Sequence, residues 1–418
     1  MAQPQSPAAI ALAVSSLEQA APPLTIGNLI ASATATHPSL LGARLEARAG
    51  LQDVTVAERQ RWPSVSAVLE SSGGSSTTTS TRLLRVQQTV WDGGRNASRI
   101  AEAQSQAELG ELKVVLQQQQ LALQIASAWQ SLLAASERVK VAQQTLERLE
   151  VYRSQMQRRV EAQASSRIDL ELANSRRLQT QVELTTAQSS LKVALIKLEQ
   201  LSGQLDLSRR LPTLAPLPAL TAAEPFRKSL ARADWSDLAA QSPSVAKARL
   251  DVELVRHRLQ TKNAEKWPQL YVRVDQTLAQ SQADGNPGTL AFAGLSYTPG
   301  AGFSNLVEAQ ALATRMAGAE QSIETAMREM REVLQADSEE FFNAASHIAA
   351  LEKSVYGADL VLESYQRQFE ASRKTWQDLL NAVRELAQNQ YALADANARL
   401  MGARHRLEIR MGQSPYSP

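Results

Sequence analysis

The residues of this chain that could act chemically on a substrate are few and scattered. Its four histidines, His37, His257, His347 and His405, fall at no spacing that would hold a metal ion, and there is no cysteine to serve as nucleophile, ligand or half of a disulfide. No glycine-rich phosphate loop, catalytic triad or converging carboxylate pair occurs. Neither an enzyme nor a cofactor is therefore expected. What remains is a pair of carboxylates at matched places: Asp169 in RVEAQASSRIDLELANSRRL (159–178) and Asp378 in FEASRKTWQDLLNAVREL (369–386). A carboxylate there can cap a helix or pair with a cation, and which of these it does depends on the elements that position it.

The two stretches are part of a duplication. HPSLLGARLE at His37 matches SPSVAKARLD at Ser242, and RWPSV at Arg61 matches KWPQL at Lys266, both offset by 205; Asp169, Leu170 and Gly203 recur as Asp378, Leu379 and Gly412, offset by 209. So small a drift leaves room only for short insertions. The chain is one body built twice rather than several unrelated domains.

Each copy changes its period along its length. Ile26 to Arg59 reads as two short helices broken at His37-Pro38, and Trp62-Pro63 ends the second. SVSAVLES and LLRVQQTVW then flank the polar tract SSGGSSTTTST, which predicts a β-hairpin over about 64–91. In the second copy, over about 269–297, LYVRVDQTLAQ puts Leu270, Val272, Val274 and Leu278 on one face and Tyr271, Arg273, Asp275 and Thr277 on the other. That alternation suits a strand between lipid and water. The alternation in the first hairpin is too poor to assign its faces. Glycine-containing corners follow, with Gly93 and Gly94 in WDGGRN and Pro299 and Gly300 in YTPGAGFSN. Each opens a helix without internal proline, over about 97–161 and 305–369, long enough for a rod of roughly 100 Å. Returning helices are expected over about 167–202 and 376–411. Leu184, Ala187, Leu191, Ala194 and Leu198 make a coiled-coil seam that Leu393, Ala396, Leu400, Ala403 and Leu407 repeat in register.

Between the copies (25–203 and 235–412) lies a connector over 204–234 with four prolines, expected to be extended. Residues 1–24 read as a disordered mature N-terminus behind Met1, the secretion signal having been removed, and 413–418 as a tail. A net charge of +2 with 21% charged residues offers no basic field for nucleic acid. No apolar run is long enough for a transmembrane helix.

Two copies of short helix, Trp-Pro, β-hairpin, glycine corner, long helix, tip and returning helix resemble the TolC family of outer-membrane efflux and secretion channels, from about Leu24 to Gly412. HPSLLGARLE, RWPSV, VWDGGR and the two tip stretches carry the likeness. The resemblance implies a mainly α fold with a transmembrane β part. Four strands per chain would close a twelve-stranded barrel in a homotrimer, and the coiled-coil helices would form a periplasmic tunnel. Implied partners are outer-membrane lipid, a periplasmic adaptor protein and an inner-membrane ABC or other pump; the implied place is the outer membrane of a Gram-negative bacterium. Strand count alone requires closure by other copies, since lone hairpins would leave unpaired edges in hydrocarbon.

The resemblance also assigns roles at the tips. Asp378 stands where the family has an acidic residue at the closed mouth, and threefold symmetry would make it a ring; one turn later Asn381 replaces an acid found in some relatives, weakening that ring. Asp378 capping its helix is the competing reading, and Asp169 is expected to be a polar partner between helices. Phe369 stands at a tyrosine latch position and cannot donate a hydrogen bond, so Arg373 or Lys374 would have to serve, unless both only meet water. The adaptor would dock on Gln163, Ala164, Ser165 and Ser372, with Gln163 and Ser372 replacing the family's usual glycines. Trp376 either anchors a partner or packs into the neighbouring hairpin.

The implied function is a passive exit duct of a tripartite exporter. The tip KTWQDLLNAVREL, and the want of an N-terminal Cys for acylation, lean toward type I secretion of a large protein such as a surface adhesin. Multidrug efflux is the alternative, and a soluble coiled-coil scaffold the alternative of another class.

Overall fold

The computed structural model describes residues 24–73, 78–214, 224–280 and 288–412. The segment 1–23, the middles of both polar hairpin tracts, part of the connector and the tail lie outside the described residues. Leu24, expected to be disordered, is buried, and its N–H donates to Thr213 Oγ1 at 3.2 Å.

Helices α1 (Ile26–Thr36) and α2 (Pro38–Arg59) part at His37, whose ψ of 128° is the extended setting a following proline imposes. Strands β1 (Ser64–Gly73) and β2 (Thr78–Trp91) lead to α3 (Arg95–Glu161) and α4 (Arg167–Ser202). Then come α5 (Leu207–Arg210), α6 (Glu224–Leu230), α7 (Trp235–Ala240) and α8 (Pro243–Ala264). Strands β3 (Gln269–Gln280) and β4 (Thr289–Ser296), with α9 (Ser304–Glu370) and α10 (Trp376–Arg410), complete the chain.

The described parts of the connector, 204–214 and 224–234, hold short helices rather than the extended strap expected there. Pro212 lies in a 3-10 turn and Pro225 in the first turn of α6, where a missing N–H leaves no hydrogen bond unmade. Burial of Leu207 and Leu230 fixes these short helices in place.

Two compact units cut across the duplication: the described parts of 38–117 and 236–332 form one, and those of 1–37, 118–235 and 333–418 the other. In the first, all four strands form one antiparallel sheet in the order β1-β2-β3-β4, so that β2 and β3 join the two copies at its middle. Register settles the faces of the first hairpin. Val86 opposite Val274 and Val65 opposite Val86 put Val65, Ala67, Leu84 and Val86 on the side of Val272 and Val274. The opposite side carries Arg85, which donates from Nε and Nη2 to Asp275 at 3.0 and 3.2 Å; Arg273, 3.2 Å from the same carboxylate, covers the Phe292 ring at 4.5 Å. An exposed aromatic stands at the helix-linked end of every strand: Trp62, Trp91, Trp267 and Tyr297. Such rings favour a lipid headgroup boundary. The corner at Gly93 has φ +65°, and a Cβ there would stand 3.0 Å from that of Trp267, so both conformation and space call for glycine.

In the second unit the seam predicted from sequence is core. Leu121, Ile125, Trp129 and Leu132 pack with Leu29, Ile30 and Ala33 of α1 and with Ala194 and Leu198 of α4. Leu400, Ala403 and Leu407 of α10 are likewise buried. Arg406 donates to Asp337 Oδ1 at 2.8 Å, Glu340 at 2.5 Å and Gln130 Oε1 at 3.0 Å, while Arg410 shares Asp337, so α9 and α10 are tied by a nearly buried ion cluster.

Candidate functional site at the helix-hairpin tips

Both long helices end the same way. At the first tip, Ala164 N–H donates to Arg159 O at 2.7 Å and Gln163 N–H to Val160 O at 2.9 Å; at the second, Arg373 N–H donates to Gln368 O at 2.7 Å and Ser372 N–H to Phe369 O at 2.9 Å. This pairing of six-to-one and five-to-two bonds is a Schellman turn, which needs one left-handed residue. Gln163 (φ 56°) and Ser372 (φ 57°) supply it. The departures from glycine therefore keep a tight reversal, at a backbone cost of about 1 kcal/mol each. Gln163, Ala164 and Ser372 are exposed and Ser165 is partly covered.

Each returning helix starts in a capping box. Ser166 Oγ accepts from Asp169 N–H at 3.2 Å, and Thr375 Oγ1 accepts from Asp378 N–H at 3.2 Å. Each aspartate returns the bond: Asp169 Oδ2 accepts from Ser166 N–H at 3.3 Å, and Asp378 Oδ2 accepts from Thr375 N–H at 3.2 Å and Thr375 Oγ1 at 2.7 Å. The Thr375 hydroxyl above all, then its N–H and the charge of Lys374 4.0 Å away, hold the Asp378 carboxyl below its ordinary range. Asp378 is thus a helix cap in the single chain, with Asn381 half-covered one turn on. Capping uses one carboxylate oxygen and leaves the group partly exposed.

Trp376 is covered rather than presented to a partner. Only 5% exposed, it donates from Nε1 to the Asp169 carbonyl at 2.9 Å and packs against Phe369 at 5.2 Å and edge-on to Tyr152 at 6.2 Å. An indole reached by a carbonyl 207 residues away is a fastener between the hairpins. The Asp169 side chain is engaged in the cap, and only its backbone carbonyl reaches the other hairpin. Phe369 carries Arg159 over its ring at 4.7 Å, Lys374 lies over Tyr365 at 4.3 Å, and Arg373 is exposed.

Tyr152 escaped sequence reasoning. Its hydroxyl donates to Gln366 Oε1 at 3.2 Å, joining α3 to α9. The signal was its place in the run Val141, Thr145, Leu149, Tyr152 and Met156, all buried and spaced by three or four. Higher up, Arg138 clasps Asp395 with two bonds of 2.8 and 2.5 Å, and Tyr391 reaches Glu183 at 3.5 Å. Burial first, then the Glu183 charge, push the Tyr391 hydroxyl up to about 12.

No cluster of metal-ligating side chains occurs among the described residues, and none of their helices is long and apolar enough to cross a membrane. What the tips can do is mechanical: hold two helical hairpins together through a few polar contacts and one buried indole.

A family model described as outer membrane efflux protein matches residues 29–204, the first copy. Sequence comparison with curated proteins gives no match. Among solved structures, a membrane protein from Pseudomonas aeruginosa shares the fold at a TM-score of 0.80 and 16% identity, over 92% of this chain and 90% of its own. The outer membrane protein VceC from Vibrio cholerae does so at 0.79 and 16%, over 94% and 97%. The MtrE outer membrane channel of Neisseria gonorrhoeae, in its open state, does so at 0.74 and 15%, over 94% and 89%. The first copy is thus similar in sequence to outer membrane efflux proteins, and the fold over both copies is that of solved outer-membrane channels.

Proposed function

We propose that this protein is the exit duct of a type I secretion system for a large protein such as a surface adhesin. The channel part of this reading rests on the sheet: one face is mainly apolar, interrupted by Gln88 and Gln276, each strand ends in an exposed aromatic, and β1 and β4 each pair on one side only among the described residues. Unpaired edges are not tolerated in hydrocarbon, and three copies closing edge to edge would remove them. The cargo part rests on the tip KTWQDLLNAVREL, which resembles members serving protein secretion. In the trimer, Asp378 and Asn381 of three copies would ring the periplasmic mouth, and Gln163, Ala164, Ser165 and Ser372 would meet the adaptor. The duct itself is passive, and docking opens it.

Purified protein should need detergent and run as a trimer; a water-soluble monomer or dimer would refute the channel reading. In a deletion strain, loss of one large surface protein with drug susceptibility unchanged is expected. Increased drug susceptibility with an unchanged set of secreted proteins would refute type I secretion and leave drug efflux.

A further inference from the structure

Above the tips, α3, α4 and α10 enclose a cavity of about 340 Å³ that none of the roles above uses. Its floor is apolar: Leu149, Leu380, Val383 and Ala387 line it and all are buried. Its rim is cationic. Arg138, Arg176 and Arg384 line it together with a single carboxylate, that of Glu183. Two of these charges are already engaged, since Arg138 holds Asp395 and Glu183 accepts from Tyr391. Arg176 bonds only the neutral Gln179, and Arg384 is exposed with no carboxylate partner among the described residues. The volume falls at the lower end of small-ligand sites, which pair an apolar body with a few converging polar groups.

We infer that this cavity binds an anionic amphiphile: a single chain or small ring system seated on Leu149, Leu380, Val383 and Ala387, with its carboxylate, sulfonate or phosphate between Arg176 and Arg384. Guanidinium groups suit such heads because they can donate two parallel bonds. A ligand so placed touches both hairpins and stabilises their closed arrangement in proportion to its preference for it. The site stands on the cavity and its charges, and does not depend on the cargo.

The test uses the full chain in zwitterionic lipid nanodiscs, titrated with the fluorescent fatty acid 11-(dansylamino)undecanoate, with empty nanodiscs subtracted. Saturable binding is expected, at least tenfold weaker for the uncharged undecanol analogue and for the R176E/R384E double variant, and lost in A387W, whose indole fills the cavity. Dodecanoate and dodecyl phosphate should both displace the probe. Absence of a saturable signal would overturn the proposal, as would equal affinity for the uncharged analogue or in R176E/R384E. The arginine positions are partly or wholly exposed, so that variant decides the matter even if A387W fails to fold.

Discussion

Truncating Trp376 separates a structural fastener from a docking residue. The indole is 5% exposed, touches Phe369 and Tyr152, and makes one hydrogen bond to the Asp169 carbonyl. Removing a buried aromatic side chain costs about 3–5 kcal/mol, whereas losing one hydrogen bond costs about 0.5–1.5 kcal/mol. Trp376→Ala should therefore loosen the tips by the larger amount and Trp376→Phe, which keeps an aromatic ring, by nearer the smaller. Amide hydrogen exchange reads local opening directly, at one decade per roughly 1.4 kcal/mol. Peptides covering 168–176 and 376–383 should exchange about 10² to 4 × 10³ times faster in Trp376→Ala, and about 2 to 13 times faster in Trp376→Phe. The first peptide matters most, because it lies in the other hairpin. Unchanged exchange over 168–176 in Trp376→Ala, alongside lost adaptor binding, would refute the fastener and restore the docking role.

Gln163→Gly and Ser372→Gly should each slow exchange at their own tip, since relief of about 1 kcal/mol of left-handed strain outweighs the chain entropy of about 0.4–1 kcal/mol that glycine adds; net gains run up to about 0.6 kcal/mol. Faster exchange in either would show that the turns are unstrained. Because the Thr375 hydrogen bonds lower the Asp378 carboxyl, its cap stabilises the second tip above the ordinary carboxylate range, and that contribution is lost as pH falls through the lowered value. Exchange at 376–380, corrected for intrinsic rates, should then rise on acidification in wild type and stay flat in Asp378→Asn. Asp337→Ala should destabilise the protein by about 3 kcal/mol by leaving Arg410 in a nearly buried site without a carboxylate, while Arg406 keeps Glu340; a shift in the unfolding midpoint equal to that of an exposed control, Glu324→Ala, would refute it.

The fold was legible because helix-period and strand-period stretches alternate twice with the same landmarks between them. Leu184 to Leu198 and Leu393 to Leu407 reveal their seams locally, as they repeat every three or four residues within one helix. Other features depend on partners far along the chain. Whether Trp376 faces water is decided by the carbonyl of Asp169, and no local pattern records that meeting. The faces of the first hairpin became readable only once Val86 was known to oppose Val274, because β1 and β2 mix serines and glutamines with valines on both sides. The connector misled for a different reason: Pro212 and Pro225 occupy first turns of short helices, where the same residues that forbid a helix interior are well suited. At the tips the aspartates were recognisable as candidates, but a cap and a pore charge call for the same residue, and geometry establishes the cap.

The pairing of β2 with β3 has a consequence for how copies can meet. It spends one edge of each hairpin inside the chain and leaves outward edges of different sequence, β1 from one copy of the repeat and β4 from the other. All four strands connect to helices at the same end of the sheet. A β1-to-β1 join about a two-fold axis would turn one subunit upside down, sending its helices to the opposite side of the membrane. Only the head-to-tail join, β4 of one subunit to β1 of the next, keeps every subunit upright, and four alternating strands preserve antiparallel order around a ring of any size. Gene duplication would thereby give such a ring two kinds of junction, β2 to β3 inside each chain and β4 to β1 between chains, where an unduplicated hairpin would repeat a single one.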